Sequence, residues 1–191
     1  MVIYLEEAVV LSHESGNLSA ETLSLGNLGN AYMNLGRNDE AITYYQKALS
    51  LARQLQHRPN EAVNLANLAN LYTSMGRYDE AFDLLTQGIE ITNQIHDIRV
   101  LQALLLYQAR NYWYRDNLPD ALAVIQEAGK YDIGDNNHAV ALTNGILLLL
   151  MDRTTEAMPL LETGLTLVDV IIEQSPQSYE AYFARGTASL A

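Results

Sequence analysis

The strongest constraint on this chain is an internal repeat of forty residues. Leu28-Gly29-Asn30-Ala31-Tyr32, followed by Leu35-Gly36-Arg37-Asn38-Asp39-Glu40-Ala41, returns as Leu68-Ala69-Asn70-Leu71-Tyr72, followed by Met75-Gly76-Arg77-Tyr78-Asp79-Glu80-Ala81. A weaker copy carries Ala109-Arg110-Asn111-Tyr112 and then Asn117-Leu118-Pro119-Asp120-Ala121, and a fourth carries Gly145 and Thr154-Thr155-Glu156-Ala157. The register also extends backwards, with Tyr4, Ala8 and Leu11 aligned on Tyr44, Ala48 and Leu51. A unit of this length cannot bury its apolar face alone, so successive copies must stack.

Each copy reads as two helices. Apolar residues recur at three- and four-residue steps, as in Leu25, Leu28, Tyr32 and Leu35, or Ala41, Tyr45, Ala48 and Leu51. Gly36 and Gly76 stand where a first helix should stop, and Asn38 or Asp39 is expected to cap the next. Pro59, Pro119 and Pro176 fall near predicted first turns, where a missing N–H costs little. Pro159 lies about a turn inside its helix and is expected to fray or kink it. Small residues at Gly29, Ala69, Ala109, Gly145 and Gly186, with Ala41, Ala81, Ala121 and Ala157, allow close helix approach. The expected map is a lone second-type helix at 1–14, helix pairs at 19–56, 59–95, 98–131 and 136–173, and a lone first-type helix at 177–190. Residues 132–137, rich in Gly, Asp and Asn, are the best place for a joint.

The pattern resembles the tetratricopeptide repeat family across essentially the whole chain. The forty-residue period resembles the longer-helix variety of kinesin light chains and bacterial signalling scaffolds. The third copy departs from the pattern with Asp116 for the terminating Gly, and the fourth has Leu148 for the Tyr. The resemblance implies an all-α fold, a right-handed superhelix or α-solenoid of stacked antiparallel helix pairs, about ten helices in one array.

Chemistry is hard to place on this pattern. The four histidines, His13, His57, His96 and His138, are far apart and lack metal-site spacing. Neighbouring acids such as Glu6-Glu7 diverge on a helix. There are no cysteines, and no Ser or Thr sits in a recognisable triad motif. No catalytic residue, metal or cofactor is expected. With 11 basic against 23 acidic residues, the net charge of −12 argues against nucleic acid and anionic membranes. The N-terminal Met1-Val2-Ile3-Tyr4-Leu5-Glu6-Glu7 is no signal peptide, and a cytoplasmic location is expected.

First helices line the concave face of such a superhelix. The side away from Leu28 and Tyr32 carries Asn27, Asn30 and Asn34. One copy later it carries Asn67, Asn70 and Ser74. A carboxamide offers a donor and an acceptor, and so matches a partner's backbone N–H and C=O. Asparagine ladders serve that purpose in O-GlcNAc transferase and kinesin light chains, and the resemblance carries this role to Asn27, Asn30, Asn67 and Asn70. The alternative is that these amides merely solvate an open face. In the third copy the wall becomes Tyr107, Arg110, Trp113 and Tyr114, a natural hot spot unless Tyr112 and Trp113 are core. In the fourth it is Leu142, Ile146, Leu149 and Leu150, either an apolar groove or a contact buried by another helix. A clamp for a C-terminal carboxylate needs Lys and Arg where this chain has Gly26, Asn27, Ala66 and Asn67.

These residues point to a non-catalytic scaffold that holds an extended peptide, neutral or basic by charge complementarity. Two alternatives stand beside it. One is self-assembly into a homo-oligomer through the terminal helices, whose Val9, Val10 and Leu11 or Tyr182, Phe183 and Leu190 lack polar caps. The other is a sensor segment of a larger bacterial regulator. The unpaired ends carry the expectation of a fragment cut from a longer array.

Overall fold

The computed structural model describes residues 2–134 and 136–175. Among these residues there are nine helices and no strand: α1 Val2–Glu14, α2 Leu18–Asn34, α3 Asn38–Gln54, α4 Arg58–Ser74, α5 Tyr78–Ile95, α6 Ile98–Tyr114, α7 Leu118–Ala128, α8 Asn137–Leu150 and α9 Thr154–Gln174. The chain is all-α and built of consecutively packed helix pairs. The helix expected at 177–190, with Pro176, Tyr182, Phe183, Gly186 and Leu190, lies outside the described residues. Two compact units divide the chain, Met1–Leu104 and Leu105–Ala191, with the boundary inside α6. In the first, α1 packs on α2, α2 on α3, α3 on α4 and α4 on α5, and α2 also touches α4. In the second, α7 packs on α8 and α8 on α9.

Backbone geometry reveals a shorter metre than the sequence repeat. Positive φ recurs every twenty residues, at Gly16, Gly36, Gln56, Gly76, His96 and Asp116, and then off that interval at Gly134 and Asp152. At Gly36 the Arg37 N–H reaches the Tyr32 carbonyl and the Gly36 N–H reaches Met33, both at 2.9 Å. That is the paired closure of a Schellman turn. His57 to Ala52 and Gln56 to Arg53 repeat it with a glutamine in the left-handed position. Glycine therefore marked only some of the helix ends.

Small residues set the packing distances. Ala41, Ala81, Ala121 and Ala157 are fully buried, as are Ala69 and Ala109. A Cβ on Gly29 would stand 2.6 Å from the Tyr45 ring, and one on Gly145 would stand 2.6 Å from Leu161. The contacting partner lies sixteen residues on in both cases, which is one first helix facing its own second helix.

Three expectations are corrected. Asn38 and Asp39 do not cap the second helices; Arg37 and Arg77 occupy the cap positions without a side-chain cap bond. Each instead lies over a tyrosine ring, Arg37 at 4.6 Å from Tyr32 and Arg77 at 3.8 Å from Tyr72, while pairing with Glu40 or Glu80 three residues on. α9 runs unbroken through Pro159; that residue and Thr155, whose carbonyl it leaves without the usual helical partner, are both exposed. α7 ends at Ala128, short of the expected 131, and Asn137 donates to Asp132 across the following turn. Of the two alternatives for the wall of the fourth copy, burial by another helix holds: Leu142 clusters with Leu161 and Val168 of α9, and Ile146 and Leu149 pack against them.

α1 keeps a long apolar face in the open. Ile3, Tyr4, Val10 and Leu11 are each more than half exposed. One repeat on, the matching Tyr44 stacks on Tyr32 with ring centroids 5.3 Å apart.

No helix among the described residues is long and apolar enough to cross a membrane. Among them there is also no group of three or more His, Asp or Glu able to hold a metal ion.

Candidate functional site

The amide-bearing wall lies on α2 and α4 within the first unit. The two helices touch, and the contact has a specific basis. Asn64 is 3% exposed and donates from Nδ2 to the Asn60 carbonyl at 2.8 Å. Its Oδ1 has no hydrogen-bond partner and would be 3.0 Å from a Cβ on Gly26. A Cβ at position 26 would press on that amide by a few tenths of an ångström, so the Gly26–Asn64 contact is a close one between the two helices.

On this frame Asn27 and Asn34 are exposed, while Asn30, Asn67 and Asn70 are half-buried. α2 and α4 thus carry Asn27 and Asn67, and Asn30 and Asn70, at equivalent positions on touching helices. They are not four equal rungs. The Tyr45 hydroxyl donates to Asn30 Oδ1 at 2.6 Å, which commits the acceptor end of that amide to the fold. Position 85, the counterpart of Tyr45, is Leu85, so Asn70 meets no hydroxyl from the equivalent place. The asymmetry was present in the sequence as the pairs Gly29 with Tyr45 and Ala69 with Leu85. It had no meaning until the packing showed that these residues touch.

Residues 18–94 match the tetratricopeptide repeat family profile. These residues are similar to tetratricopeptide repeats. None of the curated proteins matches the sequence at a significant level. Solved structures share the fold. A Podospora anserina protein described as a kinesin light chain with nearly identical TPR-like repeats is 19% identical, with TM-score 0.66, over 92% of this chain and 87% of its own. BtubC (BKLC) from P. vanneervenii is 17% identical, with TM-score 0.72, over 96% of this chain and 78% of its own. NprR in complex with its cognate peptide NprX is 19% identical, with TM-score 0.76, over 98% of this chain but only 53% of its own.

The second unit carries the other expected residues on α6. Tyr107, Arg110 and Trp113 are half-buried and Tyr114 is 46% exposed. Trp113 and Tyr114 stack with centroids 5.9 Å apart and planes 18° from parallel. Tyr112 is also half-buried, while its neighbour Asn111 is wholly buried.

Sequence reasoning missed two features of the repeats. One is the buried carboxylate of Glu61, which accepts from Arg53 Nε at 3.0 Å and Arg58 Nη1 at 2.8 Å. Burial pushes its carboxyl up, but the two guanidinium bonds outweigh that and hold it below the usual carboxylate range. Its counterpart one repeat earlier is Glu21 beside His13 at 3.1 Å, and that forty-residue correspondence was a signal open to be read. The other missed feature is a pair of exposed apolar residues, Leu23 and Val63, one turn before Asn27 and Asn67. Two of the four histidines serve helix ends. His57 caps α4 by accepting from the Asn60 N–H, and His96 closes α5 in the left-handed conformation.

Proposed function

We propose that this chain is a non-catalytic scaffold that holds an extended segment of a partner protein on the wall formed by α2 and α4. The observation that carries the reading is the equivalent placement of Asn27 and Asn67, and of Asn30 and Asn70, on two touching helices. An amide presents both hydrogen-bonding functions, so a row of them meets the alternating N–H and C=O of an extended backbone with little demand on its side chains. Tyr107, Arg110, Trp113 and Tyr114 supply a second candidate contact surface in the other unit. NprR, a fold relative, is seen with its cognate peptide, which supports a peptide or protein partner. With a net charge of −12, the chain favours a neutral or basic one.

The test follows from the geometry. Changing Asn27, Asn67 and Asn70 to Ala, with Asn30 kept because it anchors Tyr45, should weaken binding of peptides selected from a randomised library by about a hundredfold. That corresponds to about 1 kcal/mol for each lost hydrogen bond. Equal binding by the wild type and the variant in fluorescence anisotropy would refute the reading.

The open face of α1 favours a second reading, assembly of copies through their terminal helices. Tyr4 occupies the register of Tyr44, which stacks on a first-type helix, so a helix of that type is the natural cover. Light scattering should then show mass rising with concentration, and Tyr4→Ser with Leu11→Ser should abolish the rise. A constant monomer mass would exclude it.

A further inference from the structure

The first unit's wall has a polarity along its helices that its asparagines do not express. Leu23 is 56% exposed and Val63 is 39% exposed, and they are forty residues apart on touching helices. Each stands one helical turn, about 6 Å, before an exposed or half-buried asparagine. At the far end of the same stripes are Asn34 and Ser74, both exposed. Across the two helices there are therefore parallel rows: Leu23 with Val63, then Asn27 with Asn67, Asn30 with Asn70, and Asn34 with Ser74. No charged residue occurs between Glu21 and Arg37 or between Glu61 and Arg77. Glu61 itself is neutralised by two arginines.

We infer that Leu23 and Val63 form an apolar ledge that selects uncharged extended segments with apolar side chains at alternate positions. The inference rests on the peptide reading above and gives it a side-chain specificity. A segment bonded to the Asn27 and Asn67 amides crosses from α2 to α4 with its side chains alternating between two directions. One direction meets Leu23 and Val63. The other meets the polar row that ends in Asn34 and Ser74. Adjacent helices lie about 8–10 Å apart, and same-side residues of an extended strand are about 7 Å apart. Successive apolar side chains therefore fall close to successive ledge residues. A charge aimed at the ledge would lose hydration with nothing to pair with, which excludes Asp and Lys from those positions.

An array of uncharged peptides about nine residues long, in a Gln and Thr background, tests this. Leu, Val, Ser, Asp or Lys is placed at alternate positions, and the full chain is the probe. The wild type should retain the Leu and Val peptides about tenfold more strongly than the Ser peptides, and the Asp and Lys peptides least. Leu23→Ser with Val63→Ser, changes at exposed positions, should reduce the Leu and Val peptides to the Ser level at unchanged helicity; Leu23→Gln alone should lose part of the preference. If the wild type shows no preference, or the preference survives the double change, while Asn27, Asn67 and Asn70→Ala still removes binding, the ledge fails and the amide wall stands. If the asparagine variant binds like the wild type, or the wild type retains no peptide, the peptide reading falls and the ledge falls with it.

Discussion

Gly29→Ala lowers the unfolding free energy by about 1 kcal/mol, although alanine is the better helix former, and Tyr45→Leu restores much of that loss. Helix propensity alone would favour alanine by about 1 kcal/mol. Against it stands the Tyr45 ring, with Cδ1 and Cε1 each 2.6 Å from the position of a new Cβ. Tyr45 is fully buried and its hydroxyl is tied to Asn30, so the ring cannot swing aside. Overpacking of this kind costs about 1–3 kcal/mol. The second repeat shows the relieved arrangement, Ala69 with Leu85, both fully buried. A double-mutant cycle by urea denaturation should give a coupling of about 2 kcal/mol favouring the Ala–Leu combination. Additive losses would show that the ring gives way and that the Gly–Tyr fit does not hold the pair.

Glu61→Ala should cost about 2 kcal/mol. Its carboxylate joins Arg53 of α3 to Arg58 at the start of α4, and Arg53 also donates to Gln87 of α5 at 3.0 Å. Hydrogen bonds to a charged group contribute about 1.5–3 kcal/mol each before compensation. Both arginines are about half exposed, so they recover hydration when the carboxylate is lost. The loss is thus smaller than for a wholly buried pair. The pH dependence has a definite sign. A carboxyl held below its unfolded value contributes stability that is complete above that value, about pH 4.3. The contribution is lost as pH falls through the lowered folded value. Glu40, Glu80 and Glu156 shift in the same direction at the surface through their arginine partners. The informative comparison is therefore with Glu61→Gln. Denaturation midpoints from pH 7 to 2.5 should fall less steeply for that variant below pH 4.3, and parallel curves would contradict the assignment.

The legible part of the site was its register. Asn27 and Asn67, or Asn30 and Asn70, could be matched from the forty-residue spacing alone, because a residue's position on a helix follows from counting. Whether an amide is available to a partner could not be. Asn30 differs from Asn70 only through Tyr45, fifteen residues away on another helix. Leu142, Ile146 and Leu149 occupied groove positions by the same count, yet α9 covers them. Leu23 and Val63 carried no motif, since an apolar residue in a helix reads as core until its exposure is known.

The sequence by itself determined the helices, their pairing and the small residues at their contacts, because periodicity and side-chain volume act locally and repeat at fixed intervals. Pro59, Pro119 and the glycines at 36 and 76 marked helix ends through backbone sterics alone. Only the tertiary structure showed the twenty-residue metre, which Gln56, His96 and Asp116 complete without glycine, their turns closed by backbone hydrogen bonds to the helix they end. It also decided which polar groups are committed and which remain open, as with the Tyr45 hydroxyl on Asn30 and the two guanidinium groups on Glu61. Hydrogen bonding and burial are properties of pairs of helices, and no single helix contains the partner that settles them.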